Sequence, residues 1–251
     1  MSEQTRFTGK TIVVTGGSGG LGWAIANAFS ATGGRVIVGD VAAPAQTDND
    51  SISYIPLDVT DENAWISLFD KVDAAYGGLD VLVNSAGFYK PNIPFEEMPL
   101  DLWRKHFAIN ADGAFLGCKH AILRMKGRGE GAVINMGSGL SITANAFGSA
   151  YCGSKAAVLM TTRVAAAAAG AYGIRVNAVL PGAVPTSMLM GNMVEGETEE
   201  AFLEKMIAYS PLGRLATPED IARGVLFLAD PANVAITGVH LPIDGGNMPG
   251  A

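Results

Sequence analysis

Seven short runs rich in β-branched residues alternate with longer helix-like stretches, and this alternation constrains the chain more than any other feature. The runs lie at 11–15, 35–40, 53–57, 81–84, 132–136, 174–179 and 239–243, with helical patterns at 21–31, 62–76, 100–125, 151–171 and 218–228. Such alternation predicts βαβ units and a parallel sheet with helices on both faces. The length of 251 residues fits one large α/β domain spanning 1–251, with enough hydrophobic residues, 49%, to fill its core. No repeat, low-complexity linker or compositional break marks a second domain. The irregular stretch 183–209, rich in Met, Gly and Glu, follows a strand end, where open α/β sheets bind ligands, and reads as a substrate lid.

Charge and composition narrow the function classes. A formal net charge of −7 argues against a nucleic-acid surface, which carries clustered Lys and Arg. Cys118 and Cys152 are too few for a disulfide framework or zinc site, and His106, His120 and His240 are scattered, so no metal site is expected. The first residues lack a signal-peptide apolar run, and no stretch suits a bilayer span. The expectation is a soluble, cytoplasmic protein.

The first strand runs into Thr15-Gly16-Gly17-Ser18-Gly19-Gly20-Leu21-Gly22, and a helical pattern follows directly. Glycines there let the backbone turn sharply and approach a pyrophosphate, while a helix N-terminus supplies oriented N–H donors. Gly16, Ser18, Gly20, Leu21 and Gly22 are therefore candidate dinucleotide contacts. Asp40 ends the second strand about twenty residues on, where an acid can accept hydrogen bonds from both adenosine ribose hydroxyls and repel a 2′-phosphate. No Lys or Arg occurs from Thr11 to Gly34 to neutralise such a phosphate. The expected cofactor is NAD rather than NADP.

Tyr151 and Lys155 are four apart and share one helix face. A free phenol has a reference pKa of about 10; a nearby ammonium favours the phenolate, so Lys155 should lower it. A tyrosine so tuned can exchange the hydroxyl proton of an alcohol as a hydride moves. Ser138 ends a strand thirteen residues upstream and reads either as a turn serine or as a donor that orients a substrate oxygen. Ser141 and Ser154 rank below it. Asn110 falls in a small or apolar stripe with Trp103, Phe107, Ala114, Gly117 and Ala121, where a buried amide must be paired.

Taken in order, the glycine turn, Asn84-Ser85-Ala86-Gly87, Ser138 with Tyr151-x-x-x-Lys155, Pro181-Gly182 and Asp244-Gly245-Gly246 resemble the short-chain dehydrogenase/reductase family. The similarity runs from Lys10 to Gly246, with Ser85 in place of the family's usual second asparagine. The resemblance implies a doubly wound Rossmann sheet of about seven strands and a hydride-transfer enzyme with Ser138, Tyr151, Lys155 and Asn110 as its tetrad. In that scheme Asn110 holds a water that links the lysine to solvent. The resemblance also implies that Asn84, Ala86, Gly87, Tyr151, Lys155, Pro181 and Gly182 border the cofactor, with Lys155 gripping the nicotinamide ribose. Asp58 and Val59 line the adenine, and Val184 and Thr186 hold the nicotinamide carboxamide. It places Phe88, Leu140, Phe147, Met188 and Met190 in the substrate pocket.

Those pocket residues are apolar and adaptable, which suits a hydrophobic or cyclic secondary alcohol and its ketone. The lid from Val184 to Glu204 contains no Lys or Arg, so a strongly acidic substrate is disfavoured. The small-residue run Val164–Ala169 permits close helix approach, and members of the family assemble through helices here, so a homotetramer is expected. Two rival readings are weighed. A carrier-linked 3-oxoacyl reductase would use Arg124, Lys126 and Arg128 as a docking patch, but Asp40 disfavours its usual NADPH. A non-catalytic NAD(H) sensor would have no need of the full tetrad.

Overall fold

A computed structural model describes residues 5–45 and 49–247; the first four residues considered above lie outside these. Seven strands form one parallel sheet: β1 (Thr11–Thr15), β2 (Arg35–Asp40), β3 (Ile52–Pro56), β4 (Val81–Asn84), β5 (Gly131–Met136), β6 (Ile174–Pro181) and β7 (His240–Ile243). Their order is β3-β2-β1-β4-β5-β6-β7. The chain reverses direction across the sheet between β1 and β4, and ligands of doubly wound sheets bind outside the strand ends at such a switch point.

Alternation along each strand divides the core. Ile12 and Val14 of β1 and Val36 and Val38 of β2 turn to one face, where α1 (Gly20–Ala31) and α8 (Pro218–Ala229) supply Ile25, Phe29, Ile221 and Val225. Val13 and Ile37 turn to the other, against Trp65, Leu68 and Phe69 of α2 (Glu62–Tyr76). Local signals set the helix ends. Asp61 accepts from the Asn63 N–H to start α2, and Gly77, at φ 76°, ends it. Thr217 and Asp220 form a capping box ahead of Pro218 in α8.

Three sequence expectations change. The helix expected over 100–125 is broken into α3 (Leu100–His106), a wider π-helical turn (Phe107–Asp112) and α4 (Gly113–Met125). The π turn carries Asn110, whose amide leaves the helix to bond the loop after β4, as such bulges commonly do at functional sites. The long helix α5 (Ser149–Ala169) starts before Tyr151, and residues 170–172 tighten into a final turn ended by Gly173 at φ 70°. The lid is not irregular throughout: it contains α6 (Ser187–Met190) and α7 (Glu199–Ile207). Among the described residues no helix is long and apolar enough to cross a membrane.

Candidate active site

The carboxyl ends of β1, β2, β4, β5 and β6 open into one cleft of about 1180 Å³. At its cofactor end the glycine turn is shaped by sterics. Gly16 has φ +62°, and a Cβ there would stand 2.6 Å from Ala86 Cα; a Cβ on Gly22 would stand 2.1 Å from the Gly16 carbonyl oxygen. Gly19 and Gly20, by contrast, face open space. Gly19 caps α1 with no side-chain bond, which leaves the first N–H groups of that helix free of a side-chain cap. Thr15 Oγ1 accepts from the N–H groups of Ser85 and Ala86, both at 3.1 Å, and ties this turn to the exit of β4. An open glycine cradle, an uncapped helix N-terminus and an acid at the end of β2 fit the phosphates and ribose of a dinucleotide.

Asp40 accepts from Ser18 N–H at 3.1 Å and from Ala42 N–H at 3.3 Å, so it braces the glycine turn as well as lining the cleft. Leu21, Asp58 and Val59 line the same end, and Ala86, Gly87, Pro181, Gly182, Val184 and Thr186 continue along it. Asp58 is already engaged by the Thr60 N–H and hydroxyl. Two candidate cofactor residues have their side chains engaged within the chain. Ser18 is not on the cleft wall; its hydroxyl donates to the Ala42 carbonyl. Asn84 is buried behind the sheet end and donates to Asn135, which in turn donates to Thr162. A polar strand-end residue gives no sign, in sequence alone, of whether it faces the cleft or the helix layer.

The catalytic end gathers three of the four tetrad residues. Ser138 follows β5 and caps a short turn: Leu140 N–H donates to its hydroxyl, and its own N–H donates to Ser141 Oγ at 3.0 Å. Ser141 thus supports Ser138. Ser154 is buried, donates to the Tyr151 carbonyl and accepts from Asn110. Tyr151 and Lys155 are both buried on α5, with the Lys155 ammonium 5.7 Å from the Tyr151 ring centre and donating to the Met136 carbonyl at 2.8 Å.

Burial dominates the electrostatics here and corrects one expectation. The Tyr151 hydroxyl is pushed up to about 12 by burial, with Ser138 pulling the other way; it is not lowered. Lys155 falls to about 8 for the same reason, because a low-dielectric setting disfavours the ammonium as it does the phenolate. Asn110 does not line the cleft. Its amide donates to the Phe88 carbonyl and to Ser154, and its oxygen accepts from Phe88 N–H at 2.7 Å. Gly87 sits between the two groups: a Cβ there would lie 3.5 Å from Asn110 Oδ1 and 3.7 Å from Lys155 Nζ.

On the substrate side Phe88, Leu140, Phe147 and Met188 line the cleft and Met190 does not; its neighbour Leu189 does. Sequence reasoning missed Tyr89, whose ring centre lies 4.5 Å from that of Tyr151. Its only signal was its position beside Phe88. It also stopped one residue short of Lys205, which lines the lid side of the cleft. Glu197 answers that charge at 2.8 Å, so the lid presents a neutral pair. Two of the three residues of the suggested docking patch are paired: Arg124 with Asp70 and Asp73, and Arg128 with Asp80.

The family described as Enoyl-(Acyl carrier protein) reductase matches residues 15–247. The chain is 37% identical to the cis-4-hydroxycyclohexanecarboxylate dehydrogenase of Sinomonas cyclohexanicum, over 96% of this chain and 97% of that one. It is 35% identical to the NADP-dependent (R)-specific alcohol dehydrogenase of Lentilactobacillus kefiri, over 96% and 97%. Its fold superimposes on the crystal structure of levodione reductase with a TM-score of 0.92 and 30% identity, covering 98% of this chain and 100% of that one. The chain belongs to the short-chain dehydrogenase/reductase family. It is an oxidoreductase of the alcohol–ketone class that works with a nicotinamide cofactor.

Proposed function

We propose that the chain interconverts a hydrophobic, cyclic secondary alcohol and its ketone with NAD, using Tyr151 as general acid and base. The observation that carries this reading is the burial of Tyr151 and Lys155 beside Ser138, in the cleft that also holds the open glycine cradle. A bound nicotinamide would supply the hydride acceptor and donor for the carbinol carbon. The protein's work is on the proton and on position. Tyr151 removes the hydroxyl proton as the carbonyl forms, and returns it in the reverse direction. Ser138, its hydroxyl held by Leu140 N–H and its backbone N–H by Ser141 Oγ, hydrogen-bonds the same oxygen. Lys155 holds the nicotinamide ribose and places its charge near the phenol. Asn110 clamps the Phe88 backbone and so fixes the loop beside the reacting centre.

The apolar wall of Phe88, Leu140, Phe147 and Met188 supports a hydrophobic ring as substrate, and similarity to a hydroxycyclohexanecarboxylate dehydrogenase favours the same class. Asp40 supports NAD, since a 2′-phosphate there would meet a carboxylate. The test is cofactor reduction by a panel of cyclic, aromatic and aliphatic secondary alcohols, with NAD and NADP in parallel. Turnover should be fastest with cyclic alcohols and NAD, and Asp40→Ala should cut the NAD preference by about tenfold or more, the weight of one charged contact. A native preference for NADP, or a ratio that Asp40→Ala leaves unaltered, would refute the assignment.

A homotetramer completes the proposal. Phe115 and Leu123 of α4 and Met160 and Val164 of α5 are exposed, a concentration of large apolar side chains that supports helix-to-helix assembly. Light scattering should return the mass of four chains, and a monomeric mass at working concentration would remove the claim. The cytoplasm is the compartment we propose.

A further inference from the structure

Tyr89 stands against Tyr151 with ring planes at 41°, lines the cleft, and has no part in the proton transfer described above. Its backbone is pinned on both sides. Phe88 exchanges two hydrogen bonds with Asn110, and Lys90 N–H donates to His106 Nε2 at 3.1 Å. Burial keeps that histidine neutral, and its Nδ1 meets the Leu102 carbonyl, so Nε2 is free to accept. The tyrosine ring is thus held at one place beside the reacting centre.

Three polar side chains of the same cleft are anchored by bonds within the chain, and none of those bonds is to Tyr89. Thr143 donates to the Gly139 carbonyl, Asn145 accepts from Phe147 N–H, and Ser138 accepts from Leu140 N–H. The Tyr89 hydroxyl makes no hydrogen bond to the chain among the described residues, and it lies 3.5 Å from where a Cβ on Gly148 would stand. The hydroxyl is open to the cleft, where a ligand hydroxyl can take the place of solvent as its hydrogen-bond partner. Burial also pushes its pKa up, so it remains a neutral hydroxyl able to donate and accept.

We propose that Tyr89 is a substrate-positioning residue whose hydroxyl holds a second hydroxyl on the substrate ring, making cyclic diols the preferred alcohols. The inference rests on the dehydrogenase reading and names the substrate class of that same site. The test compares cyclohexanol with the cyclohexane-1,2-, 1,3- and 1,4-diols, in the native enzyme and in Tyr89→Phe, which keeps the ring contact with Tyr151. In the native enzyme the best diol should exceed cyclohexanol in kcat/KM by about tenfold, the weight of one good hydrogen bond, with the difference in KM. Tyr89→Phe should bring that ratio to about one. No diol preference in the native enzyme, or an equal loss on both alcohols in the variant, would overturn the proposal. If no alcohol is turned over, the dehydrogenase reading fails. Thermal-shift binding of diol and cyclohexanol to the NADH-saturated protein then decides on Tyr89: a diol advantage erased by Tyr89→Phe supports it, and equal binding sinks it.

Discussion

Tyr151→Phe is expected to lower kcat with the best secondary alcohol by about 10³-fold, within the range for removing a general acid–base. NADH affinity should stay within about twofold, because the substitution leaves Lys155, Asp40 and the glycine turn in place. The substitution leaves the ring against Tyr89 and the fold of α5 intact, so lost turnover reports chemistry and not collapse. The direction of the hydroxyl's shift adds a second signature. Burial pushes it up to about 12, so the phenol is the resting form across the accessible pH range. Ketone reduction consumes that proton and should be nearly flat in pH up to the alkaline limit. Alcohol oxidation needs the phenolate and should rise with pH. Progress curves for both directions in the native enzyme and Tyr151→Phe would check this. A variant that retained a tenth of native turnover would remove Tyr151 from the role.

Much of this site was legible because its signals are local. β1, β2 and β4 start and stop where their β-branched runs do, since strands buried on both faces leave little choice of register. The glycine turn could be read because Gly16 and Gly22 answer backbone clashes within a few residues or at the adjoining strand end. What escaped was tertiary. The run from Leu100 to Met125 keeps helical spacing throughout, and the π turn at Asn110 follows from a partner in a different loop, Phe88. Ser18 and Asn84 occupy motif positions, yet their side chains turn to Ala42 and Asn135. The pKa of Tyr151 was misjudged because a lysine four residues away is visible in sequence and the depth of burial is not. Tyr89 comes to the cleft from a loop, and Glu197 and Lys205 from the lid, Lys205 on the short α7.

Lys155→Met should stabilise the fold while disabling the site. The ammonium is buried with one bond to the chain, to the Met136 carbonyl, and burial lowers its pKa from 10.5 to about 8. The sign follows from linkage. A lysine whose folded value lies below its unfolded value favours the neutral form in the native state. The native state therefore carries the cost of the buried charge in full below about 8 and sheds it between about 8 and 10.5. That cost is on the order of 3 kcal/mol at neutral pH. Methionine fills similar space without charge and loses a bond worth about 1 kcal/mol. The net should raise Tm at pH 7 by roughly 5 °C for a chain of this size. The advantage should fade as pH rises, vanish just below about pH 10, where the remaining cost equals that of the lost bond, and reverse slightly by 10.5, while NADH affinity and turnover fall at every pH. Paired melting curves of native and variant protein from pH 6 to 10.5 test the sign, and a variant less stable at pH 7 would overturn it. A gain in stability with a loss of function would mean that the lysine is held in its cleft against the preference of the fold, as expected where a charge serves the ligand.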